Sequence, residues 1–72
     1  MNKYSIGTNA GIVWRLMNND RRWSYQELKQ ESGLSDRELN AAIGWLARED
    51  KIQIEEDATH QETFFQFFNA YY

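Results

Sequence analysis

Two four-residue segments, Ser24-Tyr25-Gln26-Glu27 and Ser35-Asp36-Arg37-Glu38, constrain this chain more than any other feature. In each, a serine stands three residues ahead of a glutamate. That spacing lets the hydroxyl and the carboxylate satisfy backbone N–H groups that a helix start leaves without partners. Each segment therefore begins a helix. Gly33 lies between them, free to take the positive φ that suits a helix end, and only Gly33 and Leu34 separate the first helix from the second cap. Two helices joined this tightly form a helix-turn-helix. One capping-box match arises readily by chance. Two that flank a glycine, each followed by apolar periodicity, are far more specific.

The rest of the chain arranges itself around that pair. Upstream, Ile6, Ala10, Val13 and Met17 fall on one face at about 100° per residue, with Trp14 and Leu16 widening the stripe, so an amphipathic helix is expected to end near Asn18-Asn19-Asp20. Asn19, Asp20 and Arg21 read as a polar turn, and Trp23 falls where a very short strand would fit before the next helix. Downstream, residues 36–49 form a helix that buries Leu39, Ala42, Ile43 and Leu46 along one stripe. Alternation then replaces helical periodicity. Lys51-Ile52-Gln53-Ile54-Glu55 has the pattern of a half-buried strand, Thr63-Phe64-Phe65-Gln66-Phe67-Phe68 that of an aromatic-rich strand, and residues 56–61 make a polar turn between them. Three helices followed by a two-stranded β-hairpin wing give an α+β winged helix-turn-helix. At 72 residues the chain has room for one hydrophobic core, so residues 1–72 are read as one domain.

Two stretches also carry a family likeness. Ile6-Gly7-Thr8-Asn9-Ala10-Gly11 and Ala42-Ile43-Gly44-Trp45-Leu46-Ala47-Arg48-Glu49-Asp50-Lys51-Ile52 resemble segments of a family of small, uncharacterised, single-domain winged helix-turn-helix proteins. The run from Gly44 to Glu49 is the most specific part of the likeness, which extends over nearly the whole chain. What the resemblance implies is the fold; no activity or ligand site comes with it.

Little in the sequence suggests chemistry. There is no cysteine, hence no disulfide or thiolate, and a reduced, cytoplasmic setting is the expectation. No signal peptide is read at the amino terminus, and no apolar run approaches the ~20 residues that cross a bilayer. His60 is the single histidine and falls in the hairpin turn with no second histidine to complete a metal site or nucleophile pair. Glu49, Asp50, Glu55, Glu56 and Asp57 lie at element ends and in the turn, where solvation keeps them ionised. Gly7 and Gly11 flank a helix start with no strand before it, unlike a phosphate loop. The expectation is a non-enzymatic domain without catalytic residue, metal, cofactor or small-molecule substrate.

The choice is then between DNA and a protein partner. A recognition helix reads bases with side chains near its start. Arg37 and Asn40 are suited to guanine and adenine, but Asp36 and Glu38 stand beside them, and Ala41 and Gly44 offer no polar group. The wing carries Glu55, Glu56, Asp57 and Glu62, and residues 52–72 contain no lysine or arginine, whereas phosphate binding needs such charges. Arg15, Arg21, Arg22 and Lys29 lie elsewhere, and the net charge is -3. On the side of residues 36–49 opposite the core stripe, Arg37, Ala41, Gly44 and Arg48 make a small-residue groove flanked by Trp45. In the last strand Phe65 and Phe67 share one face and Phe64 and Phe68 the other, so whichever pair turns inward, two rings point away. A homodimer acting through protein contacts is the leading expectation, with Arg37, Ala41, Gly44, Trp45, Arg48, Phe64 and Phe68 as the interface. The alternative is a DNA-binding regulator that uses Arg37 and Asn40.

Overall fold

A computed structural model describes residues 1–18 and 21–66. The elements run α1 (Lys3–Leu16), β1 (Trp23–Ser24), α2 (Tyr25–Ser32), α3 (Asp36–Arg48), β2 (Ile52–Glu56) and β3 (Glu62–Gln66). Both predicted capping boxes form. Ser24 Oγ accepts from the Glu27 N–H at 3.1 Å while the Glu27 carboxylate accepts from the Ser24 N–H at 2.9 Å, and Ser35 and Glu38 repeat the pair at the same two distances. A third box opens α1. There the Asn2 side chain accepts from the Ser5 N–H at 2.9 Å and the Ser5 hydroxyl accepts from the Asn2 N–H at 3.0 Å.

The helix ends use the left-handed region twice. Gly33, at φ 71°, ends α2 and donates its N–H to the Lys29 carbonyl. Asp50, at φ 58°, stands in the same role after α3, with its N–H on the Ala47 carbonyl and the following Lys51 N–H on Leu46. That crossed pair of bonds is the Schellman arrangement, here with aspartate where glycine is usual.

β3 is the central strand of an antiparallel sheet ordered β1-β3-β2. The short strand expected at Trp23 is real and adds a third strand to the hairpin, with Trp23 opposite Phe64 and Ser24 opposite Thr63. On the other side Ile52 faces Gln66 and Ile54 faces Phe64. The core draws on every element: Ala10 and Val13 from α1 and Met17 from the cap at its end, Trp23 from β1, Leu28 from α2, Leu39, Ala42, Ile43 and Leu46 from α3, and Ile52 and Phe64 from the sheet. The four residues expected inward on α3 are all there.

Two expectations about packing need correction. Trp14 does not widen the core stripe of α1; it stands on the stripe's flank, 38% exposed. Phe64 is not a surface residue. It is 2% exposed, because it lies between Trp23 and Ile54 in the sheet and faces the helices. Burying a phenylalanine contributes about 1.5–3 kcal/mol. Phe64 thus fills the molecule's own core and leaves the interface expected for it, while Phe68, its expected companion, lies outside the described residues. Phe65 turns the other way, beneath the Arg22 guanidinium at 4.2 Å.

Candidate interaction surfaces

The outward side of α3 is where the expected surface residues meet. Arg37, Gly44, Trp45 and Arg48 are exposed and Ala41 is half-buried. A side chain added at Gly44 would find nothing within 4 Å, so the helix presents bare backbone there. Trp45 borders this patch and is 40% exposed.

The start of α3, by contrast, is already engaged by the fold. Tyr25 donates its hydroxyl to Asp36 at 2.6 Å, and the Asn40 amide donates to the Tyr25 oxygen at 3.1 Å and to the Asp36 carbonyl at 2.8 Å. Lys29 stands 3.6 Å from the same carboxylate. The phenol hydrogen bond, helped by Lys29, holds the Asp36 carboxyl below its ordinary pKa. Partial burial and then Asp36 push the Tyr25 hydroxyl above its own. These contacts fasten α2 to α3, and they occupy the amide that the DNA alternative would direct at adenine.

Three of the four basic residues considered for a phosphate patch are engaged in the same way. Arg21 lies over the Trp23 ring at 3.7 Å and 3.4 Å from Glu27, while Arg22 bonds Glu55 at 2.6 Å besides covering Phe65. Lys29 is the partner of Asp36. Such pairing ties β1 to α2 and to the wing.

The wing tip is organised around one carboxylate. Asp57 Oδ1 accepts from the Thr59 N–H at 2.8 Å, the Thr59 hydroxyl at 2.7 Å and the Gln61 N–H at 3.0 Å, and the Thr59 hydroxyl bond leads in holding its pKa down. His60 takes φ 66° at this turn. It is exposed, with Glu56 3.5 Å away. Among the described residues no group of three or more His, Cys, Asp or Glu could hold a metal ion, and no helix is long and apolar enough to cross a membrane.

A second surface lies where α1 meets the end of α3. Gly7, Ala10, Gly11 and Trp14 of α1 face Trp45 and Leu46 of α3 and Lys51 across an open groove of about 160 Å³. The two glycines are spaced one turn apart with Trp14 following at helical spacing, a stripe beside the core stripe. That spacing was the available signal. What hid it is that the opposite wall comes from another helix.

Three helices, with α2 and α3 closely joined, and a three-stranded sheet ending in an acidic hairpin define a winged helix-turn-helix domain. The chain belongs to the winged helix-turn-helix domain family DUF2582, whose model matches residues 1–66. It is also similar to the solution NMR structure of protein BT2368 from Bacteroides thetaiotaomicron. The two are 37% identical with a TM-score of 0.79, over 92% of this chain and 79% of that one. No curated protein matches the chain significantly.

Proposed function

We propose that this domain is a non-enzymatic module that acts through protein contacts and pairs with a second copy across the outward face of α3. The observation that carries the reading is the exposed Trp45 beside Ala41 and Gly44, where nothing lies within 4 Å of an added side chain. An interior helical glycine costs about 1 kcal/mol relative to alanine, and close approach by another backbone or ring offsets that cost. Arg37 and Arg48 border the same face and supply a polar rim. Duplex DNA is disfavoured by Glu55, Glu56, Asp57 and Glu62 on the wing, by a net charge of -3 and by the internal bonds of Asn40.

Gly44→Leu is the direct test, read by light scattering at micromolar concentration. The parent is expected at about twice the 8.6 kDa chain mass, and the variant near the chain mass with its helical circular dichroism retained. A parent of single-chain mass, or a variant that stays dimeric, overturns the α3 pairing. Sub-micromolar, salt-dependent duplex binding weakened by Arg37→Ala or Asn40→Ala would establish the DNA reading instead.

A further inference from the structure

β2 is an outer strand, with β3 on one side and no strand on the other among the described residues. Its hydrogen-bonding phase is set at the wing tip. The Asp57 N–H bonds the Gln61 carbonyl at 3.0 Å, and Glu55 and Gln53 follow at two-residue steps opposite Thr63 and Phe65. Antiparallel ladders alternate at that interval, so Gln53 and Glu55 turn their backbone groups to β3 while Ile52 and Ile54 turn theirs outward. An edge of this kind is a template for a further strand. The side chains there are also incompletely covered. Ile54 shares a face of the sheet with Phe64 and Trp23, yet it is 40% exposed where Phe64 is 2%.

The residues of this edge complement themselves. Lys51-Ile52-Gln53-Ile54-Glu55, laid antiparallel on a second copy with Gln53 opposite Gln53, sets Lys51 against the partner's Glu55 and Ile52 against the partner's Ile54. Opposite charges then meet on one face and isoleucines on the other, the pairings that stabilise a ladder. Slipping the centre to Ile54 or Ile52 sets an isoleucine against Glu56 or Asp50, so the register is specified. Both charges are available. Glu55 holds Arg22 through Oε1 alone, and Lys51 is exposed and lies in no ion pair among the described residues.

We propose that two copies of this chain pair antiparallel through β2, about a two-fold axis at Gln53, and join their sheets in the order β1-β3-β2-β2-β3-β1. Ile52 and Ile54 supply the backbone bonds across the axis, and the partner's isoleucines cover the exposed margin at Ile54. Charge complementarity selects a second copy as the occupant, because the segment that matches Lys51 and Glu55 is the same segment reversed. Five residues of edge are about 17 Å long, a smaller contact than the about 1,200–2,000 Å² that stable interfaces bury. Pairing through β2 therefore belongs to concentrations near about 1 mM. It is separate from pairing through α3 and does not rest on it.

The test uses the full 72-residue chain carrying Gly44→Leu, so that α3 does not contribute. Its sedimentation mass is expected to rise from the 8.6 kDa of one chain at micromolar concentration toward twice that at about 1 mM. Nuclear Overhauser contacts are then expected between Ile52 of labelled and Ile54 of unlabelled molecules. Lys51→Glu or Glu55→Lys, added singly, places like charges opposite each other and should keep the mass at one chain with the amide spectrum of the core retained. An equimolar mixture of those two variants restores both opposite-charge pairs and should recover the higher mass. Ile54→Pro leaves both charges in place and removes an outward N–H that the fold does not use, so it should also abolish pairing. A single-chain mass at about 1 mM overturns the proposal. So do single charge variants that associate as before, a mixture that stays at one chain, or an Ile54→Pro variant that still pairs. Persistence of a dimer at micromolar concentration in Gly44→Leu would sink α3 pairing alone, and the charge variants would still report on β2, so the two failures are separately visible.

Discussion

Gly33 and Asp50 occupy the same backbone region for the same purpose, and comparing them isolates what a side chain costs there. At Gly33, φ 71° ends α2, and nothing lies within 4 Å of an added Cβ. Gly33→Ala therefore meets no steric neighbour, and its cost is that of the left-handed backbone alone, about 1 kcal/mol. For a domain of this size that lowers the melting temperature by about 4–8 °C. Asp50 carries the same kind of cost already, at φ 58°. Asp50→Gly is expected to raise stability by about 0.5–1 kcal/mol, since both bonds of the helix end come from backbone groups the substitution keeps. Thermal melts of the two variants should move in opposite directions. A stabilised Gly33→Ala or a destabilised Asp50→Gly would mean that these φ values do not govern the helix ends.

Between elements, ionisable groups set how the helix pair and the wing respond to pH. The Glu27, Glu38, Asp36 and Asp57 carboxyls all titrate below their ordinary values in the folded chain. The Ser24 N–H leads at Glu27, the Ser35 N–H at Glu38, the Tyr25 hydroxyl at Asp36 and the Thr59 hydroxyl at Asp57. Their contribution is present above the ordinary carboxylate range, about pH 4, and is lost as pH falls through the lowered folded values. Tyr25 has the opposite sign. Its folded pKa is raised, so its contribution is present below about pH 10 and disappears as pH climbs through the raised value. Melting temperature against pH should thus fall at both ends, and Tyr25→Phe should remove the part of the alkaline fall that belongs to this hydroxyl. An alkaline limb identical in parent and variant would exclude the α2–α3 tie as its source.

The same elements show which features were legible in the residues and which were not. The helix starts at Ser24 and Ser35 were, because a capping box is complete within four residues. The box at Asn2 and Ser5 was not, since it uses asparagine and serine in place of the serine and glutamate that mark the others. Phe64 could not be oriented from alternation, because both faces of its strand carry rings; its direction is decided by Trp23, some forty positions earlier, which brings β1 against β3. The outward patch of α3 follows from helical spacing alone. The groove of Gly7, Gly11 and Trp14 does not, because it exists only where α1 meets the end of α3.

At the scale of the whole molecule, a chain of 72 residues buries only about 60% of the surface it exposes when unfolded, so association should contribute visibly to its stability. If folding and pairing through α3 are coupled, a tenfold rise in concentration adds about 1.4 kcal/mol per dimer. Unfolding entropy is about 2.1 cal/mol/K per residue, or about 0.3 kcal/mol/K for two chains. The melting temperature should then climb by about 4–5 °C for each tenfold increase in protein. Gly44→Leu removes the pairing and with it the slope, leaving a lower melting temperature that no longer responds to concentration. A parent whose melting temperature is flat across a hundredfold range of concentration would leave Trp45 and Gly44 as ordinary surface of a monomer.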